Sequence, residues 1–150
     1  MQGCRFRAQT ILIPLDFSEP SRDALKYAYS LAEQHGGKLV LFYSLEPVAT
    51  PDFAYHPLMM EPREAIATAE QRLRKICSAE GIDESKIAQI VVRQGVAHVQ
   101  ITETARALQA DLIVIATHGY TGLKHALLGS TAERVVRHAH CPVLVVRAHT

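Results

Sequence analysis

The chain has 150 residues, 48% of them hydrophobic and 21% charged, with a formal net charge of +1, which suits a single domain over residues 1–150 with a sizeable core. Lys and Arg are interleaved with Asp and Glu, as in EPREAIATAEQRLRK, so no basic stripe offers itself to nucleic acid. No apolar run reaches the roughly 20 residues of a membrane span, no signal-peptide pattern opens the chain, and Cys4, Cys77 and Cys141 are odd in number and far apart; the expectation is a cytoplasmic protein with no membrane contact.

In chain order, residues 1–9 read as a flexible tail. TILIPLDF (10–17) is a short apolar run punctuated by Pro14 and Asp16, as in a buried strand. Ser18 then caps a helix whose apolar positions Ala24, Leu25, Ala28, Leu31 and Ala32 recur at helical spacing until Gly36 and Gly37. KLVLFYSL (38–45) is the second strand, followed by a long loop over 46–60. Ala65, Ile66, Ala69, Leu73, Ile76 and Cys77 form a second amphipathic face closed by Gly81, and IAQIVV (87–92) is the third strand. Ile101, Ala105 and Leu108 mark a third helix, DLIVIAT (111–117) a fourth strand, Ala132, Val135, Val136 and Ala139 a fourth helix, and PVLVVR (142–147) a fifth strand.

Continuous Val, Ile and Leu strands alternating with helices imply a parallel sheet covered on both faces, because each parallel crossover needs a helix and is right-handed. The predicted class is therefore α/β, a doubly wound five-stranded parallel sheet in the order 3-2-1-4-5. Ligands of such folds bind outside the carboxyl ends of the strands where the winding reverses. Here those ends are PLDFS and ATHGYTG.

The second of these runs on into ATHGYTGLKHALLGSTAERV (116–135). Gly119 and Gly122 allow backbone to come close to a ligand, and Ser130 with Glu133 spells a capping box at the start of the fourth helix. A helix N-terminus preceded by glycine is a ready anion site, with phosphate as its natural guest. His118, Ser130 and Thr131 can add hydrogen bonds, while Asp16 across the crevice can hold ribose hydroxyls or the water shell of Mg²⁺. The same residues also fit a bare structural role, since glycines shape loops and a capping box needs no ligand.

ILIPLDFSEPSRDALKYAYSLA, VRQGVAHVQITETARALQADLIVIATHG and GLKHALLGSTAERVVRHAHCPVLVV resemble the universal stress protein family over nearly the whole chain. The nucleotide-binding branch of that family carries a G-x2-G-x9-G-[ST] signature, matched here by Ala116-x2-Gly119-x9-Gly129-Ser130, with alanine in place of the first glycine. The resemblance implies a small cytoplasmic homodimer that holds ATP, or ADP or AMP, with or without Mg²⁺, and reports to a protein partner not identified by the sequence. By the same resemblance Pro14, Leu15 and Asp16 line the adenosine side and Ser44 lies near the adenine. Gly119, Gly129, Ser130, Thr131 and Ala132 cradle the phosphates, with His118 beside them. Leu15 stands where some relatives have Thr or Val.

The last strand, Val143 to Arg147, is an edge strand in the 3-2-1-4-5 order and apolar enough to be a liability if bare, so pairing two such edges about a two-fold axis is expected. No P-loop, no GxGxxG after the first strand and no GxSxG elbow is present. Efficient turnover is therefore not expected, and no catalytic residue is assigned; a slow ATPase or self-phosphorylation at Ser130 or Thr131 is the most that the crevice suggests. His138, His140 and Cys141 look like metal ligands, but they span a helix end and a strand start, where histidine commonly meets terminal carbonyls. In the 46–60 loop, Phe53, Tyr55, Met59 and Met60 suit a lid over the adenine, a partner contact, or simple packing on the second helix. Two functions remain: a nucleotide-holding regulatory dimer, or a dimeric interaction module of the same fold in which Ala116 has cost the pocket its ligand.

Overall fold

The computed structural model describes residues 6–46, 61–118 and 128–147. Along the chain run β1 (Thr10–Pro14), α1 (Glu19–His35), β2 (Lys38–Leu45), α2 (Pro62–Ala79), a 3-10 turn (Glu84–Lys86), β3 (Ile87–Gln94), α3 (Ala97–Ala107), β4 (Leu112–Ala116), α4 (Ser130–His138) and β5 (Val143–Val146). The five strands form one parallel sheet in the order β3-β2-β1-β4-β5, as the alternation of strand and helix predicts.

Two apolar layers follow from the period of two along each strand. Ile11, Ile13, Leu39, Leu41, Leu112 and Val114 share one cluster with Ala24, Leu25 and Ala28 of α1 and with Leu73 and Cys77 of α2. Leu12, Val40, Phe42, Val91, Ile113 and Ile115 share the other with Ile101 and Ala105 of α3 and with Ala132 and Val135 of α4. Each strand residue thus meets helix on its own side, which is why these runs are apolar without alternation. Burial in the first layer pushes the Cys77 thiol up to about 11, as befits an unreactive core cysteine.

The helix signals hold where local chemistry decides them. Ser18 is the N-cap of α1, accepting from the Ser21 amide at 3.3 Å, and Gly36 closes the helix at φ 68°. Gly81 follows α2 at φ 70°, with amides 81 and 82 bonded back to the carbonyls of Ser78 and Cys77, the paired closure that favours glycine.

Three expectations are corrected. Residues 6–9 of the expected tail are tied down: Ala8 is fully buried, the amides of Gln9 and Thr10 donate to Asp111 Oδ2 at 3.0 and 2.9 Å, and Phe6 meets His35 edge-on. The first strand ends at Pro14 rather than residue 17, because Phe17 turns the chain at φ 66°. The capping box is not formed: Gly129 is the N-cap of α4 and Ser130 its first helical residue, while the Glu133 carboxylate pairs with Arg137 at 2.8 Å. Cys4, Gly119, Gly122 and the loop residues Phe53, Tyr55, Met59 and Met60 lie outside the described residues.

Candidate functional site

The carboxyl ends of β1, β2 and β4 open into a cleft of about 440 Å³, within the size range of small-molecule sites. β1 and the turn after it contribute Pro14, Leu15 and Asp16; β4 and its exit contribute Ile115, Ala116 and His118; Thr131 comes from the first turn of α4. The far wall is built by Phe42, Tyr43, Ser44 and Glu46 from β2 and by Ala97 and Ile101 from α3. Apolar walls with polar groups at both ends suit a flat, partly polar ligand.

The β1 exit is a fixed turn. Asp16 Oδ1 accepts the Ser18 amide at 3.0 Å and also the Ser18 hydroxyl, an Asx-type turn that leads straight into the α1 cap. Between them Phe17 sits in the left-handed region, a costly conformation for a bulky residue. Its ring is held from two sides, by Tyr43 with ring centroids 4.5 Å apart and by the Arg72 guanidinium 3.8 Å above it. Asp16 is therefore presented to the cleft by a turn locked through side-chain contacts.

At the β4 exit, His118 Nδ1 lies 3.0 Å from Thr117 Oγ1, and the Gly129 amide donates to the Thr117 carbonyl at 2.6 Å. A Cβ on Gly129 would lie 2.7 Å from that same carbonyl oxygen. The chain's own backbone thus requires glycine here, whatever lies in the cleft. The first bond of α4 runs from the Glu133 amide to the Gly129 carbonyl, which leaves the amides of Ser130, Thr131 and Ala132 without acceptors inside the helix, at its electropositive end.

Of the residues expected at the site, Pro14, Leu15, Asp16, Ser44, Ala116, His118 and Thr131 line the cleft. Ala132 is buried in the core under α4, Ser130 is exposed, and Gly129 precedes both as the cap. Ala116 is only 8% exposed and packs in the α1-side cluster. Phe42 and Glu46, together with Ala97, Ile101, Ser21, Tyr43 and Ile115, line the cleft without being expected there from the sequence. The period of two was the available signal for the first two, since Phe42, Ser44 and Glu46 alternate onto one face, but Ala97 and Ile101 come from another element. Among the described residues no group of three or more His, Cys, Asp or Glu is placed to hold a metal ion, and no helix is long and apolar enough to cross a membrane.

Comparison with known proteins agrees over nearly the full length. Residues 7–147 match the universal stress protein family. The chain is 37% identical over 141 residues to a universal stress protein of Methanocaldococcus jannaschii, covering 91% of this chain and 81% of that one. It is also 37% identical over 145 residues to universal stress protein G of Escherichia coli O157:H7, covering 93% and 99%. Among solved structures, a universal stress protein from Lactobacillus plantarum superposes with a TM-score of 0.75 at 26% identity, covering 95% of this chain and all of that one. A universal stress protein solved in complex with cAMP shares the fold, with a TM-score of 0.64 at 23% identity and coverage of 92% and 95%.

Proposed function

Because the chain belongs to the universal stress protein family, we propose that it is a regulatory protein that binds an adenine nucleotide, ATP or its close relatives, in the cleft and relays ligand state to a protein partner as a homodimer. One observation carries the reading: the amides at the start of α4, which have no acceptor within the helix, stand beside a cleft that Thr131, His118 and Asp16 border with polar groups. Amides at a helix N-terminus suit phosphate oxygens. The apolar walls of Phe42, Ile101 and Ile115 suit a purine ring. A fold-mate holding cAMP is consistent with such a guest.

In this reading Pro14, Leu15 and Asp16 flank the sugar, Ser44 lies toward the base, and Gly119, Gly129, Ser130, Thr131 and Ala132 surround the phosphates with His118 and Ala116 at their side. Mg²⁺ bound with the nucleotide would neutralise phosphate charge, and Asp16 would meet it through water. Holding the ligand, rather than turning it over, is the proposed activity.

The test starts from protein purified without added nucleotide, denatured, its released small molecules identified by mass spectrometry. Calorimetric titration with ATP and AMP follows, with and without Mg²⁺. Adenine nucleotide near one per chain, or saturable binding, is expected. Asp16→Asn keeps the Oδ1 acceptor for Ser18 and removes the charge, so a loss of affinity of about tenfold or more with an unchanged melt is expected. No released nucleotide and no heat from either ligand would sink the reading in favour of an interaction module with an unliganded pocket.

A further inference from the structure

We propose that Ser44 and Glu46 read the base, selecting a purine with an amino group at its 6-position over one with an oxo group there; this rests on the adenine-nucleotide reading above. Phe42, Ser44 and Glu46 fall on one face at the end of β2, and all three line the cleft. Phe42 is buried, an apolar floor for a ring. The two polar residues beyond it are already committed in a way that fixes what they offer.

The Ser44 hydroxyl donates its one hydrogen to the Gly95 carbonyl at 2.8 Å, so its remaining capacity is that of an acceptor. Glu46 Oε1 accepts the Ala97 amide at 3.2 Å, and a carboxylate has no hydrogen to give. That bond holds the side chain at the N-terminus of α3, whose own N-cap residue, Val96, supplies no side-chain acceptor. This end of the cleft therefore presents acceptors from both side chains. An exocyclic amine brings two hydrogens, one for each acceptor, whereas a 6-oxo purine has a single donor on that edge, N1–H, and sets the O6 lone pairs against the second acceptor and the Glu46 charge.

The polarity can be reversed at a single position. In Glu46→Gln the amide oxygen can keep the Ala97 bond, which turns the NH2 donor toward the cleft. Calorimetric titration of wild type and Glu46→Gln with ATP and with ITP, the 6-oxo analogue, reads the effect directly. Wild type is expected to prefer ATP by about tenfold or more, and Glu46→Gln to lower that preference by about tenfold, the scale of one hydrogen bond to a charged group. A melt like that of wild type would show the α3 cap intact. Ser44→Ala is the second variant: it removes the other acceptor and should lower the ATP preference in the same direction, and it decides the matter if Glu46→Gln does not fold. A variant that binds ATP with the wild-type ATP-to-ITP ratio would overturn the proposal and leave Glu46 as a helix cap alone. Wild-type protein that binds neither triphosphate would instead overturn the adenine reading, a separate outcome.

Discussion

Ala116 departs from the family signature by one methyl group, and the structure says where that methyl goes. Leu112, Val114 and Ala116 lie on the α1 side of β4, and Ala116 is nearly closed off from solvent. Its side chain is spent on packing more than on narrowing the cleft. Ala116→Gly is therefore expected to leave ATP affinity within about threefold while lowering stability by about 1–2 kcal/mol, through a lost buried methyl and the extra freedom of glycine in a strand. Titration and urea unfolding check both halves; a tenfold gain in affinity would mean that the methyl occupies space the ligand needs. Gly37 and Gly129 teach the same lesson in reverse. Each reads in sequence as helix punctuation, yet a Cβ on Gly37 would lie 1.9 Å from the Ala8 carbonyl oxygen and one on Gly129 would meet that of Thr117. The partner in both cases is remote backbone, which no local pattern records.

At the scale of elements, the helices end in unequal ways. After α1 and α2 the left-handed position is filled by Gly36 and Gly81, but after α3 it falls to Gln109 at φ 50°, with the Ala110 amide bonded back to the Ala105 carbonyl at 2.9 Å. A side chain there carries a steric cost that glycine avoids. Gln109→Gly is expected to stabilise the protein by about 0.5–1 kcal/mol, read as a higher urea midpoint at constant slope; an unchanged or lower midpoint would show that the entropy of the added glycine cancels the relief. The start of α3 is equally instructive. Its sequence offers Val96 as the cap residue, a poor choice by propensity, and the missing acceptor arrives from Glu46 at the end of β2. The apolar spacing that predicts the helix is local, while the group that caps it is contributed across the sheet.

For the molecule as a whole, the proposed dimer depends on the open side of β5. The amides of Ile113 and Thr117 donate to the carbonyls of Pro142 and Val146, so in this parallel pairing residues 142, 144 and 146 turn their main-chain groups to β4, and Val143 and Val145 turn theirs outward. Among the described residues nothing pairs with that outer side. Val145→Pro removes an outward amide without touching the β4 ladder, and proline is tolerated on an edge strand. The expected result is a monomer by light scattering with an unchanged far-ultraviolet circular dichroism spectrum; a persisting dimer would place the interface elsewhere. The strand order and the position of the cleft were legible in the sequence. Apolar runs, helical spacing and caps such as Ser18 are short-range signals, and the handedness of parallel crossovers leaves few ways to wind them. What only the tertiary structure decided are the contacts between segments far apart in the chain: Ala8 against Gly37, Thr117 against Gly129, the Arg72 guanidinium over Phe17, and Glu46 fixed by Ala97. Such contacts depend on where the fold brings separate elements together, and a one-dimensional pattern of side-chain types does not carry that distance.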